Sequence, residues 1–226
     1  MKAGEIKELA ISFGAEKCGI AIIDRFREAP AGFNPKDIYP LTQSVVVFLI
    51  QMPTEIIKVT NPIPYTSTAY MLYSELDHIG LKLCKALEKQ GHNAIPVPAD
   101  TPYLFWDGKQ QRGQGIISLR HAAANAGLGI LGRNSLLINP ELGNMVYIGA
   151  ILTDLDLDPD PLVEDFDCPP NCSICLDVCP INALDGVSVD QKKCREISFY
   201  KNERGFDIYA CNDCRKFCVL SNGRLN

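Results

Sequence analysis

The sequence lacks a long apolar run, a surplus of basic residues and any repeat or low-complexity tract. Its longest strongly apolar stretch, Ser44 to Ile50, falls far short of the ~20 residues that span a bilayer as a helix. The first residues carry no apolar segment typical of a secretory signal. We therefore expect a cytoplasmic protein without membrane contact. The hydrophobic fraction of 46% over 226 residues indicates an ordinary globular chain.

The charge balance is acidic, with 22 Lys and Arg residues against 27 Asp and Glu residues and a formal net charge of −5. Affinity for nucleic acid comes largely from Lys and Arg side chains that neutralise phosphates. An acidic chain is poorly suited to that role, so we expect no nucleic-acid partner.

Hydrophobic spacing predicts that helices and strands alternate in the first two thirds of the chain. The clearest strand is Ser44 to Gln51, whose continuous apolar run indicates burial on both faces. The longest helix is Ser67 to Lys89, with apolar residues at steps of three and four. Ala99 to Gln114 is predicted as a loop. The pattern predicts a layered α+β domain.

The composition changes near residue 160. The segment Asp154 to Asp167 is acidic and contains two prolines, and we take it as the boundary between residues 1–160 and residues 161–226. Eight of the ten cysteines lie between Cys168 and Cys218. Clustered cysteines in a reducing compartment indicate a metal site more often than disulfides.

The clustered cysteines follow the spacing of bacterial ferredoxins. The first run reads CPPNCSICLDVCP from Cys168 to Pro180, one residue longer than C-x2-C-x2-C-x3-C-P, whose fourth cysteine binds a second cluster. We expect a bulge within Pro169 to Asn171 to absorb the extra residue. The second run reads CNDCRKFC from Cys211 to Cys218. The spacing predicts two [4Fe-4S] clusters with crossed ligands: Cys168, Cys172, Cys175 and Cys218 for one, and Cys179, Cys194, Cys211 and Cys214 for the other.

Other interpretations of the cysteines stay open. The two C-x2-C pairs would suit one zinc ion, with the ligands Cys172, Cys175, Cys211 and Cys214. That arrangement leaves the other four clustered cysteines without a role and does not explain the proline after Cys179. A single cluster and a disulfide framework are further alternatives. Cys18 and Cys84 stand apart in apolar segments, where we expect them to be packing residues.

The segment Gly127 to Gly132 reads GLGILG and satisfies the dinucleotide pattern G-x-G-x-x-G. That fingerprint follows a strand and opens a helix, whereas here a predicted helix precedes the glycines and a strand follows them. We therefore reject a Rossmann site. The glycines indicate either a helix exit that needs conformational freedom or a loop whose backbone closely approaches a large planar cofactor.

A longer motif reads AGLGILGRNSLLINPELG from Ala126 to Gly143, and LTD follows at Leu152 to Asp154. Together with the cysteine runs, these motifs resemble epoxyqueuosine reductases and their relatives from about Ser118 to Cys218. Reductive dehalogenases have the same architecture. The resemblance implies a nitroreductase-like α/β domain that binds cobalamin, followed by a ferredoxin-like module whose two [4Fe-4S] clusters feed electrons to cobalt.

The resemblance also implies where the corrinoid lies. It places the cofactor beside the segment that begins at Gly127, with the Cys218 cluster nearest to it. The implied contacts are the glycines and the polar residues after them: Gly127, Gly129, Gly132, Arg133, Asn134 and Ser135. His121 lies just before this segment and is a further candidate.

The chain departs from the epoxyqueuosine reductases at two points. Their acidic proton donor corresponds to Gly113 here, within the sequence RGQG. Their C-terminal helical-repeat segment, which helps to bind tRNA, has no counterpart before Asn226. The catalytic residue is therefore unassigned, and we expect a small-molecule substrate in place of tRNA.

These features predict an iron–sulfur oxidoreductase, in which two [4Fe-4S] clusters pass low-potential electrons to a bound cobalamin that reduces a small substrate. The resemblance implies an electron donor such as ferredoxin or flavodoxin. One alternative is a non-enzymatic electron carrier that serves a partner corrinoid or flavin protein. Another is an FMN-dependent reductase, because nitroreductase-like domains commonly hold FMN.

Overall fold

The computed structural model describes residues 1–102, 105–109 and 112–223. The helices are α1 Ala3–Ser12, α2 Pro35–Ile38, α3 Pro62–Glu88, α4 Leu119–Asn125, α5 Ile174–Asp177, α6 Gln191–Ser198 and α7 Asp213–Lys216. The strands are β1 Lys17–Ile22, β2 Ser44–Gln51, β3 Ala94–Val97, β4 Phe105–Asp107, β5 Arg112–Gln114, β6 Ile130–Leu131, β7 Leu137–Ile138, β8 Val146–Thr153, β9 Phe199–Lys201 and β10 Asp207–Tyr209. In the described part of the chain, no helix combines the length with the apolarity that a bilayer crossing would need.

A four-stranded antiparallel sheet in the order β1-β2-β8-β3 lies at the centre of the fold. Its register pairs Val47 with Gly19 on one side and with Ala150 on the other. In β2, every residue from Ser44 to Ile50 is buried. This burial on both faces explains why β2 is a continuous β-branched and aromatic run instead of an alternating one, as its sequence predicted.

Helices cover both faces of the sheet. α1 and α3 pack on one face, where Phe48 of β2 joins the core that contains Leu83. α4 packs on the other face, where Val47 of β2 joins the core that contains Ala122. Successive residues of β2 thus enter opposite cores, as the alternation of side chains along a strand requires. The structure confirms a mixed helix-and-strand fold.

α3 begins five residues earlier than the hydrophobic pattern predicts. The Asn61 side chain accepts a hydrogen bond of 2.9 Å from the backbone N–H of Ile63, and Pro62 occupies the first turn, where its missing N–H is no loss. The longer helix carries Tyr73 against Tyr147 of β8, with 5.0 Å between the ring centres. Both tyrosines belong to the candidate functional site.

The cysteine-rich segment is built from short elements, with one cysteine in each of α5, α6 and α7. The β9–β10 hairpin lies against the first half of α3. The Thr66 hydroxyl accepts a hydrogen bond of 3.0 Å from the backbone N–H of Tyr209, and the Tyr70 hydroxyl donates to the carbonyl of Asp207 at 3.2 Å. These contacts fix the chain immediately before Cys211.

Candidate functional site

The clustered cysteines come together as two groups of four. In the first group, burial raises the pKa of the Cys175 thiol, and the charges of its neighbours Cys218, Cys168 and Cys172 raise it further. All four of these residues line one small pocket. We call this set the Cys218 group.

The other four cysteines form the Cys194 group, which consists of Cys179, Cys194, Cys211 and Cys214. Burial raises the pKa of the Cys211 thiol, and the charges of Cys194 and Cys179 are among those that raise it further. Burial also raises the pKa of the Cys214 thiol to about 12, against the opposing charge of Arg215. These are the two sets of cysteines that the ferredoxin spacing predicts as cluster ligands, and their binding of iron stays a prediction.

Among the described residues, the cysteine thiols are not arranged around a single metal ion. All ten cysteines are free thiols. Within the described ranges, no three His, Cys, Asp or Glu side chains are placed to hold a single metal ion. Four cysteines that bind four different irons of a cubane stand farther apart than four that bind one zinc ion, where each Zn–S bond is about 2.3 Å.

A tight turn takes up the extra residue of the first cysteine run. Asn171 has a φ of 60°, in the left-handed region that Asn tolerates better than most residues. The backbone N–H of Cys172 donates to the carbonyl of Pro169 at 3.0 Å, which closes the turn. Cys168 therefore stays beside the rest of its group.

Two of the predicted cofactor contacts bind the cysteine loops instead. The Arg133 guanidinium donates to the carbonyl of Cys172 at 2.8 Å. The buried Asn134 side chain donates to the carbonyl of Cys214 at 3.0 Å. Both residues also line the small pocket of the Cys218 group. The loop after the glycines thus holds both cysteine groups in place.

The packing of the chain on itself leaves no room for a side chain at two of the three glycines of GLGILG, Gly127 and Gly129. A Cβ atom on Gly127, which has a φ of 70°, would collide with the carbonyl oxygen of Pro161. One on Gly129 would collide with the carbonyl oxygen of Ile138, and one on Gly132 would meet the Ile138 side chain. None of these glycines is among the described residues that line the large cavity beside Cys194.

A cavity of about 1160 Å³ lies beside the Cys194 group. Cys194 forms part of its wall, and none of its described lining residues is a cysteine of the Cys218 group. α6 brings Cys194 to the wall. That the Cys218 cluster lies nearest the cofactor stays a prediction. Of the predicted cofactor contacts, His121 and Ser135 line the cavity. Gly113 also lines the cavity, at the position that corresponds to the acidic proton donor of the epoxyqueuosine reductases.

Among the described residues of the cavity wall, positive side chains outnumber negative ones, with four arginines against two acidic residues: Arg25, Arg120, Arg195 and Arg215 against Glu28 and Asp100. The Arg120 guanidinium donates to the hydroxyl and the carbonyl of Ser135, each at 2.6 Å. Burial and the neighbouring Arg120 lower the pKa of His121, so its ring is neutral near pH 7. The wall therefore favours a ligand with anionic groups.

Tyr73 and Tyr147 also line the cavity, and the sequence did not single them out. Burial raises the pKa of both hydroxyls. A second tyrosine adds to the rise in each case, Tyr209 for Tyr73 and Tyr65 for Tyr147. The two residues lie far apart in the chain, so no local motif could have joined them. The sequence could have indicated Arg215 as a site residue, because it directly follows Cys214.

No protein-family model matches the chain. The epoxyqueuosine reductase of Staphylococcus aureus is 36% identical over 122 residues, which cover 48% of this chain and 31% of that protein. The tetrachloroethene reductive dehalogenase of Desulfitobacterium hafniense is 33% identical over 175 residues, which cover 76% of this chain and 27% of that protein. The chain is thus similar to both the epoxyqueuosine reductases and the reductive dehalogenases. It spans about a third or less of the length of these two relatives.

Solved structures of both groups of enzymes have the same fold. A catabolic reductive dehalogenase in complex with 3-bromo-4-hydroxybenzoic acid gives a TM-score of 0.69 at 23% identity, over 94% of this chain and 31% of that one. An epoxyqueuosine reductase with a tRNA stem loop gives a TM-score of 0.65 at 20% identity, over 97% of this chain and 65% of that one. The RNA in the second structure does not fit our expectation of no nucleic-acid partner.

Proposed function

We propose that the chain transfers electrons from two [4Fe-4S] clusters to a cobalamin held in the cavity, where a small substrate is reduced. The observation that carries this proposal is Cys194, which belongs to a group of four cysteines and also lines a cavity of about 1160 Å³. A redox centre and a large binding space would then share a wall. The curated relatives are themselves reductases and reductive dehalogenases, which are oxidoreductases.

The donor sets support two clusters. Each group offers four thiols, and a [4Fe-4S] cluster takes four cysteine thiolates. Eight cysteines therefore satisfy two clusters without remainder, whereas a zinc ion would use only four of them. The hydrogen bonds that Arg133 and Asn134 donate to the cysteine loops support preformed ligand positions.

The size and charge of the cavity support cobalamin. Pockets for drug-sized ligands have volumes of about 300–1,000 Å³, so this cavity has room for a larger group. Its surplus of arginines suits the phosphate of a corrinoid, and His121 and Ser135 would contact the cofactor from α4 and from the loop before β7. When bound, cobalamin supplies low-valent cobalt that delivers electrons to the substrate.

We propose Tyr73 and Tyr147 as the proton source, because Gly113 offers no acid. Burial keeps both hydroxyls protonated at neutral pH, and both line the cavity. Tyr209 raises the pKa of Tyr73 further and Tyr65 that of Tyr147, so each proposed donor has a second phenol as its neighbour.

The proposal divides the chain into a nitroreductase-like domain over residues 1–160 and a bacterial ferredoxin-like domain over residues 161–226. The central sheet lies within the first range, and all eight clustered cysteines lie within the second. Eight unpaired thiols suit a reducing compartment, so we propose a cytoplasmic location. A ferredoxin or a flavodoxin is the proposed electron donor.

Three other candidates have support of their own. RNA is a second candidate substrate, because a relative with this fold was solved with a tRNA stem loop. FMN is a second candidate for the cavity, although it is smaller than a corrinoid and would leave more of the space unfilled. An electron carrier for a partner corrinoid or flavin protein would use the same cysteine groups but would bind no cofactor in the cavity.

Anaerobic purification followed by iron and sulfide analysis and a spectrum of the extracted cofactor tests these candidates together. The proposal predicts about eight irons per chain and stoichiometric cobalamin. Extracted FMN would favour the flavin reductase. Clusters without any change in the EPR spectrum of added cob(II)alamin would favour the carrier, and fewer than about six irons would contradict two clusters.

A further inference from the structure

Arg215 connects the Cys194 group to the cavity. Its backbone directly follows Cys214 in α7. Its side chain forms part of the cavity wall, as Cys194 does. A positive charge that acts on the Cys214 thiol therefore lies in the cavity wall.

Neutral groups hold this charge in place. The Arg215 guanidinium donates to the carbonyl of Asn144 and lies over the Tyr147 ring at 5.4 Å from its centre. The Asn144 side chain donates in return to the carbonyl of Arg215 at 3.4 Å. None of the ion pairs within residues 1–102, 105–109 and 112–223 includes Arg215. Contact with a carboxylate in those ranges therefore does not neutralise it.

A cation in this position acts differently on the two oxidation states of a cluster. A [4Fe-4S] cluster with four thiolates is negatively charged when oxidised and gains one more negative charge on reduction. The attraction of a nearby cation is thus greater for the reduced cluster, above all where little water screens it. Net charge around a cluster is one of the factors that set its reduction potential.

We propose that Arg215 raises the reduction potential of the cluster held by the Cys194 group, so that the transferred electron resides mainly on this cluster, at the cavity wall. This inference rests on the two clusters of the proposed function. The step is a one-electron reduction of that cluster by a low-potential donor of the ferredoxin or flavodoxin class. No bond breaks and no proton is taken up. Arg215 acts here as a positioning residue for charge, since it binds no iron.

Lys216 provides a matched control. It is the next residue in α7 and carries the same charge, but its ammonium group lies over the ring of Phe217, 5.5 Å from the centre. Phe217 is an exposed side chain, and Lys216 is not among the described residues that line the cavity. The Lys216 charge therefore lies over an exposed ring and outside the described cavity wall.

The test is an EPR-monitored redox titration of the anaerobically reconstituted protein, with dithionite as reductant. The signal of the Cys194-group cluster is identified as the one that Cys194→Ala removes. Arg215→Gln should lower the ratio of reduced to oxidised cluster about tenfold at a fixed potential, a shift of about 59 mV for a one-electron couple. Arg215→Lys, which keeps the charge, and Lys216→Gln should each change the ratio by less than about threefold.

An unchanged potential in Arg215→Gln with a full iron content would overturn the inference. An equal shift in Lys216→Gln would also overturn it, because the effect would then not belong to the cavity wall. If Arg215→Gln loses iron, Arg215→Met replaces it, since Met retains a long side chain over Tyr147 without the charge. Failure of the proposed function looks different, because the unaltered protein would then bind too little iron for two clusters.

Discussion

Arg215 lies over the ring of Tyr147, with 5.4 Å between the guanidinium carbon and the ring centre. Arg215 belongs to the cysteine-rich segment, and Tyr147 belongs to β8 of the central sheet. Such cation–π contacts contribute about 0.5–2 kcal/mol. The contact joins the two parts of the chain at the cavity wall, where the proposed electron and proton pathways meet.

The buried tyrosines should make stability fall at alkaline pH. Burial raises the pKa of Tyr73 and Tyr147 above the value of about 10 found in unfolded chains. Above pH ~10 the unfolded state releases protons that the folded state keeps, so stability decreases by about 1.4 kcal/mol per pH unit for each residue. Urea unfolding of the cluster-loaded protein from pH 8 to 11 should therefore give a shallower decline in Tyr147→Phe. The exposed Tyr200 provides the control, and an equal change of slope in Tyr200→Phe would contradict the assignment.

Single cysteine substitutions should remove one cluster at a time. Cys218→Ala should lower the iron content from about eight to about four per chain and remove one EPR signal. Cys194→Ala should give the same loss of iron but remove the other signal. Cys18 lies outside both groups, so Cys18→Ala should keep all the iron. Loss of the same EPR signal in both group variants would contradict the division into two groups.

Gly127 should be intolerant of any side chain, for a reason unrelated to a cofactor. Gly127→Ala combines a positive φ of 70° with a collision against Pro161 and should destabilise the protein by more than about 3 kcal/mol. Gly91 has a φ of 81° but open space at its Cβ position, so Gly91→Ala should cost only about 1 kcal/mol. Urea unfolding measures both changes. Similar costs in the two variants would show that backbone strain alone explains Gly127.

The single tryptophan should report on the cavity. Trp106 packs against Arg195, 5.1 Å from its ring centre to the guanidinium carbon, and Arg195 lines the cavity. Cob(II)alamin absorbs near ultraviolet and visible light, so its binding should quench the fluorescence of Trp106 to a saturating, stoichiometric end point. Free tryptophan mixed with the same cobalamin corrects for absorbed light. Quenching no greater than this control would count against a corrinoid in the cavity.

Local patterns predicted the parts of the structure that depend on neighbouring residues. The continuous apolar run of β2 revealed a strand buried on both faces. The cysteine spacing revealed which thiols lie together, because short loops leave few alternatives. His121 and Ser135, chosen for their place beside the glycines, both line the cavity.

The sequence did not predict the contacts between distant segments. The glycines were expected to approach a cofactor, whereas Gly127 packs on Pro161, and that partner lies beyond three intervening strands. Tyr73 and Tyr147 meet only because α3 crosses β8. The prediction of a loop over Ala99 to Gln114 was wrong where β4 and β5 pair. Neither strand shows the alternation of polar and apolar residues by which a strand is predicted.

Metal analysis of the anaerobically reconstituted chain, incubated with iron, sulfide and cobalamin and then freed of unbound material, tests the central claim most directly. The account predicts about eight irons and one cobalt per chain. One zinc ion in the protein as purified, with no iron or cobalt retained after reconstitution, would contradict it.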